Sequence, residues 1–465
     1  MASHRGRWSL AVFLVACFAV PFTAAGDPPK PPSPVRSITF RDFSAVNMAE
    51  DTSRSLYRGA VGMNRLELLW NHLEPISGQW DQQRLKAYGD LVLRQNQNRV
   101  GMLVLLAYAT DWSAAPHPQV RIGSHPAYIS RQHVADWVRY VDRVVSFLRQ
   151  PPYNVLYFQV WNEPWKHPQC GFWGGSDDQF FEHVYLPAAE CIRKRGGRVV
   201  YGGWPSCEDL STWVALMNKH QAWDDTDVLS FHYQSGWNSV WAWPRMRSAA
   251  SQAGFPRIKI WTTEVGSIVD PGWFANWYTK LFYWAVTNGG ERDPDLVKAF
   301  YFKEEGGRPG DYHFDKSLYL GKRLTPRGQA LQVLADLFSG GAIRGYSAVE
   351  NDRGLSPQIA PFGHVASAVE SFFIDSQPPR IVTGFQLREE EFTADSSIRL
   401  EFPEVRRAAR AERVDIAGHV TSLPILRSDR GIASTVTVRN ARGSRVQNWN
   451  VGDVTPFFMV LTLAP

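Results

Sequence analysis

For some 300 residues the chain alternates short apolar runs with stretches of helical periodicity, and few folds accommodate that pattern. The apolar runs lie at 35–40, 62–69, 100–108, 155–161, 198–202, 228–233, 258–263 and 297–302, which makes eight. Between the third and fourth, Val134, Trp137, Val138, Val141, Val144, Val145 and Leu148 recur at steps of three and four. Pro151 and Pro152 stop that helix. Further helices are predicted at 180–192, closed by Gly196-Gly197, and at 273–287 and 326–338. Eight such units predict a (β/α)8 TIM barrel over 36–340, a fold of about 250 residues before insertions. The rival is a doubly wound open sheet, but no Gly-rich phosphate loop follows the first run.

From about residue 341 the pattern becomes short and β-rich. Segments 381–387, 397–402, 413–416, 434–438 and 457–463 are separated by Gly, Asp and Arg turns, which predicts a small all-β sandwich over 341–465. At the other end, residues 1–25 read as an export signal. Arg5 and Arg7 precede an apolar run at 10–20, and Thr23-Ala24-Ala25 offers small residues for cleavage. That run is too short to span a bilayer, and no later stretch is long and apolar enough. Leu14-Val15-Ala16-Cys17 also resembles a lipobox, with Cys17 as the lipid anchor. Either way the chain is expected outside the cytoplasm, secreted or periplasmic, or lipid-anchored at the surface. Residues 26–35 form a stiff leader carrying Pro28, Pro29, Pro31, Pro32 and Pro34.

Composition narrows the function classes. The 465 residues carry 50 Lys+Arg against 45 Asp+Glu with no basic run, so charge gives nucleic-acid binding no support. Four cysteines leave Cys170, Cys191 and Cys207 after the signal; an odd count in an oxidising compartment suggests one disulfide and one free thiol. No Cys or His spacing fits zinc. The 19 Trp either fill a large aromatic core or present flat faces suited to sugar rings.

Two apolar runs end in glutamate: Val160-Trp161-Asn162-Glu163-Pro164 and Trp261-Thr262-Thr263-Glu264. In a barrel these are strands four and seven, opening on the C-terminal face where reactive groups sit. A single such Glu reads as a salt-bridged rim residue. Two across one mouth fit glycoside hydrolysis, which needs one carboxyl to protonate the departing oxygen and one carboxylate to meet the oxocarbenium ion.

These residues resemble the retaining (β/α)8 glycoside hydrolases of clan A, with family 39 as the nearest likeness. The resemblance runs over 60–340. Its second-strand block is Gly62-Met63-Asn64-Arg65-Leu66-Glu67, followed by Leu73-Glu74-Pro75; its third strand is Leu103-Val104-Leu105-Leu106-Ala107-Tyr108. It implies Glu163 as acid/base, Glu264 as nucleophile, a carbohydrate substrate, and no metal or organic cofactor. Arg65 is expected to hydrogen-bond Glu264, or else to be a surface residue. Asn162 is expected to donate to a sugar 2-hydroxyl, and otherwise is a turn residue. His232 ends strand six, where the clan carries His-x-Tyr. Here Gln234 takes the tyrosine place and Tyr233 alternates to the other face. Tyr108, Trp112 and Trp165 are candidate stacking platforms or packing residues, and Trp261 is a candidate substrate-binding residue. Lys303 after strand eight is expected either to bind a uronate carboxylate or to pair with Glu304 or Glu305. Glu67 and Glu74 are carboxylates expected to play no part in the chemistry. The alternative to a hydrolase is a carbohydrate-binding or scaffold protein on a barrel that has lost turnover, motivated by the altered strand-six motif and by Lys303.

Overall fold

The computed structural model describes residues 38–114, 121–122, 125–164, 172–204, 210–232, 236–265, 270–290, 293–305, 316–357, 367–388, 391–392, 396–438 and 453–464. The export signal, the leader, Cys17, Trp165, Cys170, Cys207, Tyr233 and Gln234 lie outside the described residues. Cys191 is a buried free thiol beside Asp142. Among the described residues no helix is long and apolar enough to cross a membrane.

Eight parallel strands close into a barrel: β1 (Ser44–Asn47), β2 (Met63–Leu69), β3 (Gly101–Ala107), β4 (Tyr157–Val160), β5 (Arg198–Val200), β6 (Val228–His232), β7 (Lys259–Val265) and β8 (Val297–Tyr301). Strand β1 pairs with both β2 and β8 to close the ring. The first strand departs from the sequence expectation of 35–40. Thr39 caps a helical turn at Phe40–Phe43 instead, accepting from Asp42 N while the Asp42 carboxylate accepts from Thr39 N. The turn buries Phe40 and Phe43, and the chain turns extended only at Ser44.

After a single helical turn at Leu56–Gly59, the helices that follow the strands are α1 (Gln82–Gln97), α2 (Val134–Arg149), α3 (Leu186–Lys194), α4 (Leu210–Lys219), α5 (Gly236–Gln252), α6 (Pro271–Ala285) and α7 (Pro326–Leu337). The inward row of α2 (Trp137, Tyr140, Val141, Val144, Val145, Leu148) is buried, as its spacing requires.

One side chain from each strand fills the barrel floor: Ala45, Met63, Leu103, Tyr157, Val200, Val228, Trp261 and Phe300. Along a barrel strand side chains alternate inward and outward, so the positions two residues on form the next inward layer. That layer contains Asn47, Arg65 and Gln159, all buried. Polarity therefore begins one layer above the floor.

The C-terminal region forms two antiparallel sheets. Its strands are β9 (Ala342–Gly345), β10 (Glu350–Asn351), β11 (Ala368–Asp375), β12 (Arg380–Arg388), β13 (Ser396–Phe402), β14 (Ala408–Asp415), β15 (Val420–Leu423), β16 (Leu426–Ser428), β17 (Gly431–Val438) and β18 (Asp453–Leu463). The orders are β9-β11-β12-β18-β14-β15 and β10-β13-β17-β16. Phe385, Phe457 and Leu461 of the first sheet and Leu400, Phe402 and Val436 of the second share one apolar core, which makes a sandwich. The six-stranded sheet also covers α6. Every residue of that helix but Pro271 and Tyr283 is buried, and Phe282 stacks on Phe372 at 5.6 Å. Lys280 and Glu370 form a buried ion pair across the same junction at 3.6 Å.

Candidate active site

Strand β4 hands over to the loop through an abrupt change of backbone. Trp161 and Glu163 both have φ in the left-handed region, at 65° and 47°. Such conformations cost about 1–3 kcal/mol each and persist where the surroundings fix them. Here Trp161 is fixed by its indole N–H, which donates to the Phe172 carbonyl at 2.7 Å, and by edge contacts with Trp173 and Tyr108. Asn162 and Glu163 are turned toward the barrel axis as a result. Strand β7 uses another device. Its register against both β6 and β8 slips by one residue between Thr262 and Val265. A bulge of this kind re-aims side chains next to active sites. Both Thr263 and Glu264 reach the same imidazole in consequence.

That imidazole is His232, at the end of β6. Its Nδ1 lies 2.8 Å from Glu163 Oε1 and 3.0 Å from Glu264 Oε2, while Nε2 lies 2.8 Å from Thr263 Oγ1. Facing two carboxyl oxygens, Nδ1 must carry a proton and donate. Glu163 and Glu264 are only 7% and 8% exposed, and His232 2%, so the charges act on one another with little screening. Burial pushes the Glu163 carboxyl up, and the Glu264 charge adds to that; the hydrogen bond from His232 opposes both without cancelling them. Burial would lower the His232 pKa, but the Glu264 charge and the hydrogen bonds to both carboxylates prevail and raise it. The imidazole atom and the two carboxyl oxygens all lie within 4.8 Å of one another, the only group of such ligand atoms among the described residues close enough to share a cation.

Gly203, just after β5, makes room for the ring. Its φ is +89°, and a Cβ there would fall 2.4 Å from His232 Nε2. No side chain fits.

Beneath this triad Arg65 is 1% exposed rather than on the surface. It donates to Asn162 Oδ1 at 2.6 Å, to Gln159 Oε1 at 2.8 Å and to Asn47 Oδ1 at 3.0 Å. Its nearest approach to Glu264 is 3.8 Å, an ion pair without the expected hydrogen bond. His232 Nδ1, at 3.0 Å, comes nearer to Glu264 than Arg65 does.

The aromatic candidates among the described residues are packing residues. Trp261 belongs to the barrel floor, fully buried against Tyr157, with its indole N–H on the Asp295 carbonyl. It stands three positions before Glu264 along β7, at the bottom of the barrel, so it offers no face to a sugar. Tyr108 is buried against Trp161 and hydrogen-bonds Asn162; it holds the site's asparagine rather than forming a platform. Trp112 packs edge-on against Trp70. Seven Trp are fully buried, so the tryptophan richness is a core property.

Two further expectations change. Lys303 pairs with neither glutamate beside it: Glu304 and Glu305 are both held by Arg54, at 3.4 and 3.0 Å. Glu74 is structural, accepting from Trp70 Nε1 and Gly78 N. Glu67 differs from it. It stands two residues above Arg65 on the inward face of β2, partly buried, within reach of the charges of Arg65, Glu264, Lys303 and Glu163. The polar residues Asn47, Gln159, Thr263 and Gly203 were not singled out from sequence. A Gln inside an apolar strand, at the inward register of the strand carrying Glu163, was the available signal for Gln159.

No family model and no curated protein matches the sequence. Solved structures do match its fold. A family 39 glycoside hydrolase from the gut symbiont Bacteroides cellulosilyticus WH2 is 12% identical over 92% of this chain and 83% of its own, with a TM-score of 0.60. The family 30 subfamily 8 xylanase Xyn30A from Clostridium acetobutylicum is 11% identical over 92% of this chain and 98% of its own, with a TM-score of 0.58. A monomeric beta-xylosidase from Caulobacter crescentus CB15 is 14% identical over 92% and 98%, with a TM-score of 0.54. A share of 92% is too large to omit the C-terminal sandwich, so the likeness takes in barrel and sandwich together. The fold neighbours of this chain are clan A glycoside hydrolases of families 39 and 30.

Proposed function

We propose that this chain is an exported retaining glycoside hydrolase, with Glu163 as acid/base and Glu264 as nucleophile. The observation that carries the reading is the pair of buried carboxyl groups, from strands four and seven, on one imidazole nitrogen. Retaining enzymes hold their carboxyl groups about 5–5.5 Å apart and inverting ones about 6.5–9.5 Å apart. The carboxyl oxygens facing His232 lie within 4.8 Å of each other, which supports the shorter of the two separations. The hydrolase fold of the neighbours supports the same class of chemistry.

The steps follow from the proton inventory. His232 Nδ1–H donates to Glu163 Oε1, so the acidic proton sits on Oε2, which is kept protonated by the burial that raises its pKa. That proton passes to the glycosidic oxygen as the bond to the anomeric carbon breaks. A Glu264 carboxylate oxygen attacks the same carbon and forms a glycosyl ester. Glu163, now ionised, takes a proton from water. The resulting hydroxide oxygen displaces Glu264 and the sugar leaves with its configuration retained. His232 holds both carboxyl groups in place while the proton moves, and Arg65 fixes Asn162 where a sugar hydroxyl would sit.

Wild type and Glu264→Ala assayed on a panel of aryl glycosides of both anomers test the reading. The expected result is turnover by wild type alone, with retained configuration by NMR. Equal rates for the two proteins would overturn it and leave a carbohydrate-binding barrel.

A further inference from the structure

Two opposite charges at the mouth have no use in the steps above. Glu67 lies on the inward face of β2, one layer above Arg65, and it makes no hydrogen bond or ion pair with any described residue. Lys303 lies just past β8, partly exposed, with its ammonium 5.8 Å from the centre of the Phe302 ring. It likewise forms no ion pair among the described residues. The acids beside it are occupied: Glu304 takes Arg54 and the Tyr57 hydroxyl, and Glu305 takes Arg54 and the Gly321 amide. Burial raises the Glu67 pKa, with the nearby Arg65 and Lys303 charges opposing it, and the Glu67 and Lys303 side chains close no contact with each other. An acceptor and a donor thus stand at the same end of the barrel, on the two strands that flank β1.

We infer that Glu67 and Lys303 together grip two hydroxyl groups of a neutral sugar ring, and that Glu67 selects against acidic sugars. The inference rests on the hydrolase reading and names the substrate class of that site. A pair of ring hydroxyls satisfies both groups, one donating to the Glu67 carboxylate and the other accepting from the Lys303 ammonium. A uronate carboxylate placed on Lys303 would instead add a negative charge beside the carboxylates of Glu67 and Glu264, since Glu163 is protonated when substrate binds. Two carboxylates then oppose the one contact that favours it. Glu67 is a specificity residue, and its removal acts on binding of the ring more than on bond cleavage.

The test compares wild type, Glu67→Gln and Lys303→Met on 4-nitrophenyl xylosides, glucosides and glucuronides of both anomers. In parallel, calorimetry or ligand-observed NMR measures binding of xylose, glucose and glucuronate to the intact protein. Wild type is expected to favour the neutral sugars in both measurements. Losing a hydrogen bond to a charged group should raise KM or Kd for the neutral sugars about tenfold or more in either variant, with a smaller change in kcat. Glu67→Gln alone should narrow the gap between neutral sugar and uronate. A wild type that binds glucuronate at least as well as glucose, or a Glu67→Gln protein with unchanged KM and Kd, overturns the inference. If aryl glycosides are cleaved in a Glu264-dependent way while Glu67→Gln changes nothing, only this inference fails. If nothing is cleaved but neutral sugars bind in a Glu67-dependent way, the hydrolase reading fails and the grip stands.

Discussion

Glu304 joins the barrel rim to the loop after β1, and its titration should be readable in the stability of the whole fold. The side chain is 2% exposed; it accepts from the Tyr57 hydroxyl at 2.6 Å and lies 3.4 Å from Arg54. Burial pushes its pKa from 4.5 up to about 7, against the lowering effects of Tyr57 and Arg54. The fold therefore favours the protonated carboxyl over the charged one. That contribution is fully present below about pH 4.5 and is lost as pH rises through about 7. At about 1.36 kcal/mol per pH unit, the difference between 4.5 and about 7 amounts to about 3 kcal/mol. Glu304→Gln stays neutral throughout and keeps an oxygen for Tyr57 to donate to. Its packing and Arg54 penalties do not change with pH, so they cancel when the difference between the two proteins is followed against pH. Denaturant unfolding at a series of pH values from about 4 to about 8 should show the variant gaining about 3 kcal/mol on wild type across that range. Parallel stability curves would refute the argument, because they would mean that Glu304 titrates alike in the folded and unfolded chains.

Other outcomes follow from the site and the sandwich junction. If Glu163 is the acid, as proposed, kcat/KM should fall as pH rises through its raised pKa. Glu163→Gln should remove that alkaline limb on a substrate with an activated leaving group, at a cost in kcat of about 10²–10⁴ on ordinary ones. Gly203→Ala drives a methyl group into the His232 ring from a backbone position that alanine resists; loss of more than about tenfold in kcat with an unchanged circular dichroism spectrum is expected. Lys280→Met leaves Glu370 buried without its cation and should cost about 3–5 kcal/mol in a denaturant titration.

Most of the barrel was legible because seven of its strands are apolar runs that the chain breaks with helical spacing or Gly. The first strand was not. Its four residues, Ser44–Asn47, follow a capped turn whose two Phe mimic the end of a strand. Helix α1 escaped notice because its buried row, Leu85, Gly89, Val92 and Gln95, carries only two apolar side chains. The strand Ala368–Asp375 escaped because Glu370 interrupts its apolar pattern; the ion pair with Lys280 and a hydrogen bond from Gln386 Nε2 help to hold that residue inside. Both glutamates could be read from strand ends, since a charge at the end of an apolar strand marks a rim. The bulge at Thr263 and the left-handed turns at Trp161 and Glu163 left no local signal, yet they decide that His232 touches both acids. Trp261 misled for a related reason. Standing three residues before Glu264, it lies on the interior side of β7 but at the bottom.

The eight side chains of the floor close the barrel below Arg65. On the proposed reading, sugar, water and cleaved fragment therefore all come and go on the side of the strand ends, because nothing passes through the packed layer beneath Glu163 and Glu264.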